Sequence, residues 1–158
     1  MTRAVRTRGL AVLIVALVAA DWGSKLWIAN RLAPGESWSV VDGWLSFVHR
    51  QNRGVAFSFL SELPDGWSLP ILGGLGILGV VVFGAILRSS PDRVARFAAA
   101  LVLAGAVGNL GNRVVSGAVT DFVLLAFFPF VFNLADAAIT LGGSLLAIRL
   151  AREPEAAG

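Results

Sequence analysis

The sequence predicts an all-α membrane protein of four transmembrane helices, carrying a small extracytoplasmic β-sheet (a β-cradle) and a second short outer loop. Three observations predict it. Of 158 residues, 56% are hydrophobic and only 15% are charged, where soluble domains carry about 25% charge. Mean hydropathy is +0.77. The stretch Ser68 to Leu87 runs for 20 residues without a charge, and as a helix rising about 1.5 Å per residue it crosses a hydrocarbon core of about 30 Å unaided. Four such spans leave room for one or two structured loops and for no separate soluble domain, so residues 1–158 are expected to form one membrane unit.

The spans are expected near 9–29, 68–87, 95–113 and 130–150. The first has an apolar stretch of only 12 residues, Gly9 to Ala20, so it must continue through Asp21 and Lys25 and draw both charges into the membrane. The same stretch, with Arg3, Arg6 and Arg8 before it and Ala19-Ala20 after it, also has the layout of a cleavable secretory leader. The third span is charge-free from Phe97 to Asn112, with Arg96 and Arg113 expected to snorkel from its ends. Ala137 to Ile148 is again only 12 residues, which pushes the expected start of the last span back to Pro129 or Phe130 and sets Asp136 inside it or at its mouth.

Arginines 3, 6, 8, 88, 93, 96, 149 and 152 flank one set of span ends, and only 31, 50, 53 and 113 flank the other. That asymmetry predicts cytoplasmic termini and two outer connections. In the first connection, residues 36–62, Trp38 and Val40, then Leu45 and Phe47, then Val55, Phe57 and Phe59 alternate with small or polar residues around an Asp42-Gly43 turn signal. A small sheet is expected there, with Trp38, Trp44 and Trp67 favouring the membrane interface.

There is no cysteine and one histidine, His49, expected on a loop. Disulfides, thiol nucleophiles, iron–sulfur clusters and ordinary zinc sites are thereby excluded, and no metal or other cofactor is expected. The net charge of +3 comes from scattered arginines with no basic stripe beside aromatics, so no nucleic-acid partner is expected.

Chemistry is sought among the immersed polar groups. Asp21 and Lys25 are four apart in the favourable order for an intrahelical pair, which fits either a self-neutralising strut or a contact for a substrate headgroup or backbone. Asp121 and Asp136 have no lysine or arginine three or four residues away, and an intramembrane acid without a local partner is a functional candidate. Brought together, two carboxylates share a proton, one serving as base on a water and the other donating to a carbonyl oxygen, as in aspartyl peptidases. The alternative is that each bonds asparagines or caps a helix end. Asn52, Asn109, Asn112 and Asn133 project to the same level, either as interhelical glue or as a grip on an extended peptide, with Arg113 offering a fixed positive charge.

These residues resemble the lipoprotein signal peptidases, or type II signal peptidases, of bacterial membranes. The likeness runs in order through Asp21-Trp22-Gly23-Ser24-Lys25, Asn52-Arg53-Gly54-Val55-Ala56-Phe57, Gly105-Ala106-Val107-Gly108-Asn109 leading to Arg113, Gly117-Ala118-Val119-Thr120-Asp121-Phe122, and Phe132-Asn133-Leu134-Ala135-Asp136. The resemblance implies that Asp121 and Asp136 are catalytic, that Asn52, Gly54, Asn109, Arg113 and Asn133 bind substrate, and that Asp21, Lys25 and Asn112 support them. It implies a metal-free endopeptidase, in the bacterial inner membrane and expected as a monomer among membrane lipids, that cuts prolipoproteins before a diacylglyceryl-modified cysteine. One departure stands out: Asn112 precedes Arg113 where the family usually has aspartate. Two rival classes remain, a small proton-coupled transporter, which proton-coupled flux in liposomes would reveal, and a non-catalytic assembly subunit, which charge-neutral variants would leave intact.

Overall fold

A computed structural model describes residues 3–54 and 67–152. The elements run α1 (Arg3–Arg31), β1 (Ser37–Val41), β2 (Leu45–Asn52), α2 (Ser68–Ser89), α3 (Arg93–Ser116), β3 (Val119–Leu125) and α4 (Leu134–Ala151). All four helices contain a segment long and apolar enough to cross a membrane: Thr7–Arg31, Pro70–Ser89, Arg93–Ser116 and Leu134–Ala151. The expected fold class is thus borne out, four such helices with a three-stranded antiparallel sheet in the order β1-β2-β3.

Helix α3 is the centre of the bundle. Its Ala98, Ala99 and Ala100 are fully buried, and small side chains there let neighbouring backbones come close. A methyl on Gly105 would collide with the Ala135 carbonyl, and one on Gly142 would sit 2.6 Å from the Ala98 carbonyl oxygen, so the α3/α4 seam tolerates only glycine at both points. Among the described residues α2 packs on α3 alone of the helices, whereas α1 reaches both α3 and α4.

Local sequence sets the ends. Asp92 caps α3 by accepting from Val94 N at 2.7 Å and Ala95 N at 3.3 Å, and Gly117, at φ +69°, closes it by donating to the Arg113 carbonyl at 2.9 Å. Helix α4 starts at Leu134 and not near 130, because Phe132 forms a β-bridge with Val123 and Asn133 takes the N-cap position. The helix runs to Ala151, one residue past the expected end, for 18 residues, about 27 Å. Arg149 there forms an ion pair with Asp92.

Three further expectations are corrected. Arg96 does not snorkel: it is buried, its Nε donates to the Leu87 carbonyl at 3.0 Å and its Nη2 to Thr7 Oγ1 at 2.9 Å, tying α1, α2 and α3 together. The second connection is not a plain loop, since residues 119–125 form β3 against β2. His49 is no loop residue but a buried part of β2, bonded through Nδ1 to the Leu32 carbonyl at 2.8 Å. Strand β1 is exposed at every position, and its Trp38 packs edge-on to Phe47 and beside Trp27 of α1. Val55, Phe57 and Phe59 lie outside the described residues.

Candidate active site

The sheet end of the bundle collects nearly all the immersed polar groups. From α1, Asp21 and Lys25 enter at 2% and 3% exposure, joined at 2.7 Å. The pair is more than a strut along one helix. Lys25 Nζ also donates to Asn109 Oδ1 of α3 at 2.9 Å, and Asp21 Oδ1 accepts the Ala135 backbone N–H of α4 at 3.0 Å. Gly108 makes this crossing possible, for a methyl there would lie 2.7 Å from Asp21 Oδ2.

Asn133 has no exposure and is the hub. Its side-chain oxygen accepts from Asp136 N at 2.9 Å while its backbone N–H donates to Asp136 Oδ2 at 3.2 Å, a reciprocal capping box. Its Nδ2 donates to Asp121 Oδ1 at 2.7 Å and to Asn109 Oδ1 at 3.2 Å. Asn109 Nδ2 in turn donates to Asp136 Oδ1 at 2.8 Å, and Asn52 Nδ2 at the end of β2 donates to Asp121 Oδ2 at 2.8 Å. One residue therefore holds both acids, Asp121 on the sheet and Asp136 on α4. Both alternatives raised by the sequence have a counterpart in this geometry, since each acid bonds asparagines and Asp136 completes a cap.

Strand β3 carries Asp121 one residue before Phe122, opposite which the β2–β3 register slips between Phe47 and Arg50. Such an irregularity re-aims side chains at the edge of a ladder. Asp121 is 2% exposed, and burial, with the neighbouring Asp136 adding to it, pushes its carboxyl up to about 6, against the opposing hydrogen bonds of Asn52 and Asn133. Arg113, at the end of α3, interacts electrostatically with both acids, and its buried Nε has no acceptor among the described residues. Among the described residues the cluster thus gathers three carboxylates against two cations, leaving one negative charge uncompensated when every group is ionised.

Gly54 sits at φ +132° and donates its N–H to Asn52 Oδ1 at 2.9 Å. A side chain would strain that turn and loosen the amide that faces Asp121. Asn112 is buried, and its Oδ1 accepts from Thr120 N at 2.7 Å. Sequence reasoning missed Gln51, which donates to Thr120 Oγ1 at 3.2 Å and contacts His49 Nε2 at 3.1 Å. His49 and Gln51 are two apart in β2, hence on one face, a relation that a loop assignment for His49 conceals. Among the described residues no three His, Asp or Glu side chains converge as metal ligands.

Residues 13–152 match the family model described as signal peptidase (SPase) II. The chain belongs to the signal peptidase II family. It is therefore a peptidase and a multi-pass membrane protein. A protein of Solibacter usitatus named "Lipoprotein signal peptidase" is 36% identical over 149 residues, covering 91% of this chain and 89% of its own. One of the same name from Dichelobacter nodosus is 40% identical over 138 residues, covering 85% and 88%. A solved structure described as "Bacterial membrane enzyme structure by the in meso method at 2.3 A resolution" superposes with a TM-score of 0.82 at 26% identity, over 95% of this chain and 94% of the other.

Proposed function

We propose that this signal peptidase II family member removes the signal peptide from lipid-modified prolipoproteins, cleaving before a diacylglyceryl-cysteine with Asp121 and Asp136 as the catalytic pair. The observation that carries this reading is the double hold of Asn133, whose side chain bonds Asp121 and whose backbone bonds Asp136. It fixes two acids from separate elements next to a cation, Arg113, whose buried Nε is unused among the described residues.

The excess of one carboxylate over the cations favours one bound proton, and the upward shift of Asp121 favours its taking a share. In the reaction the ionised acid takes a proton from water as its oxygen bonds the scissile carbonyl carbon, while the protonated acid donates to the carbonyl oxygen. Collapse of the tetrahedral diol breaks the C–N bond as the proton held by the base passes to the leaving nitrogen and one diol hydroxyl returns a proton to the other acid, which re-forms the singly protonated pair. Arg113 Nε is suited to donate to the carbonyl oxygen or an adjacent one, and Asn52 and Asn109 to align the extended backbone. The lipid supplies affinity at about 0.8 kcal/mol per buried CH₂, so a monomer held among membrane lipids binds its precursor from the bilayer side. The arginine asymmetry supports an orientation with both termini in the cytoplasm and this site at the outer face.

The test is cleavage of a diacylglyceryl-cysteine precursor by the purified protein. Asp121→Asn and Asp136→Asn are each expected to lose at least about 10³-fold in kcat while retaining cooperative thermal unfolding. Parent-like cleavage by either variant removes that acid from the mechanism, and cleavage of an unlipidated peptide at the same rate removes the lipid from recognition.

A further inference from the structure

Among the described residues strand β3, which carries Asp121, has one partner strand, β2. Along a strand, alternate N–H groups point to the same edge, so those of Thr120 and Phe122 share one edge. The Phe122 N–H is taken by the Phe132 carbonyl at 3.1 Å. The Thr120 N–H is taken by a side chain, Asn112 Oδ1, at 2.7 Å. Asn112 is 8% exposed, and among the described residues its other amide atom has only a contact to Ser116 Oγ at 3.5 Å, the outer limit of a hydrogen bond. Asn112 and Phe132 together replace a fourth strand on either side of Asp121. The residue before Asp121 is held a second time, through Thr120 Oγ1, by Gln51. The last turn of α3 that carries Arg113 therefore also sets the position of the strand bearing Asp121.

We propose that Asn112 is a positioning residue for Asp121, acting through the Thr120 amide, and that the position requires an acceptor oxygen but no charge. The proposal rests on the catalytic assignment of Asp121. An acid displaced by a fraction of an ångström still binds substrate next to it but reacts poorly, so the loss falls on kcat and not on KM.

The experiment uses the full chain in detergent with phospholipid and a fluorogenic peptide carrying a diacylglyceryl-cysteine, together with hydrogen–deuterium exchange over residues 117–125. Asn112→Leu, of similar volume but with no acceptor, is expected to lower kcat by about 10- to 100-fold with KM within about threefold, and to speed exchange at Thr120 by at least about tenfold. Asn112→Asp, which keeps the acceptor, is expected to restore kcat to within about threefold of the parent and to restore slow exchange. Ser116→Ala is expected to leave both unchanged. If Asn112→Leu does not fold, Asn112→Ala carries the same expectation. Parent-like kcat in the Leu or Ala variant overturns the proposal, as does an Asp variant as slow as the Leu variant. Asp121→Asn in the same assay separates the two readings: if it cleaves like the parent, the catalytic assignment fails, whereas if it is silent while Asn112→Leu is fully active, only the positioning role fails.

Discussion

The amide of Asn52 donates to Asp121 Oδ2 at 2.8 Å, and a hydrogen bond of this kind favours the ionised carboxylate. Asp121 stands at about 6, against an ordinary 3.8, because burial outweighs that bond. A pair sharing one proton fails when the last proton leaves, so the proposed mechanism gives kcat/KM an alkaline limb. Asn52→Ala removes a stabiliser of the anion, raises the affinity for that proton and is expected to move the limb upward by about one pH unit, roughly 1.4 kcal/mol of lost interaction. A pH–rate profile of parent and variant measures it; an unmoved or lowered limb separates Asn52 from the titration. Stability carries the opposite face of the same shift. With its folded pKa above the unfolded one, the Asp121 contribution is fully present below about pH 4 and is lost as pH rises through about 6. Melting temperature is therefore expected to fall more steeply over that window in the parent than in Asp121→Asn. At this scale the sequence is informative about identity but not about linkage. It marks Asp121, Asp136 and the asparagines as immersed polar groups, yet which amide faces which acid depends on rotamers and register that no local pattern encodes. The bonds of His49 and Gln51 are hidden in the same way, because their partners, Leu32 and Thr120, lie 17 and 69 residues away in the chain.

Element boundaries follow from caps, and the caps here belong to the site. Asn133 is both the N-cap of α4 and the donor to Asp121. Asn133→Ser retains a cap but is too short to reach Asp121, so it is expected to cost under about 1 kcal/mol of stability yet to reduce kcat by at least about tenfold. Asn133→Ala loses both functions and is expected to cost about 1–2 kcal/mol. Thermal unfolding beside cleavage kinetics tests the pair; equal activity in the Ser variant and the parent shows that the link between the acids is dispensable. The start of α4 expected from the sequence is too early because hydropathy alone asks for more apolar length, and Pro129 to Phe132 supply it; the chain instead uses Phe132 for a bridge to β3. Strand β3 is illegible for a related reason. Val119 to Leu125 has no clean alternation, because its first four residues are all buried, between β2 and the helices. The run from Ser68 to Leu87 is easy to place as a helix because α2 faces outward over most of its surface, where hydropathy alone governs composition.

Across the whole molecule, three helices meet through two side chains of α1. Asp21 bonds the first turn of α4, and Lys25 bonds Asn109 of α3, which itself bonds Asp136. Spacing in the sequence reveals the pair, and only the assembled bundle reveals that it is shared. Lys25→Met leaves Asp21 buried at 2% exposure without its ammonium and Asn109 Oδ1 with one donor fewer, the Asn133 amide remaining. Breaking a buried pair from one side costs about 3–5 kcal/mol, whereas removing both charges is far less costly, since neither is left unpaired. The double variant Asp21→Asn/Lys25→Met is therefore expected to recover at least half of the stability lost by the single one, as the amide oxygen introduced at position 21 can still accept from the Ala135 N–H. Activity is expected to stay low in both, because Lys25 also favours the ionised form of Asp121, and its loss biases the pair toward binding a second proton. Unfolding in detergent and the pH–rate profile together distinguish the two consequences. If the single variant costs less than about 1 kcal/mol, α1 is held by its apolar face and the pair is an electrostatic accessory; if the double variant regains activity along with stability, Lys25 serves the bundle and not the proton balance of the acids.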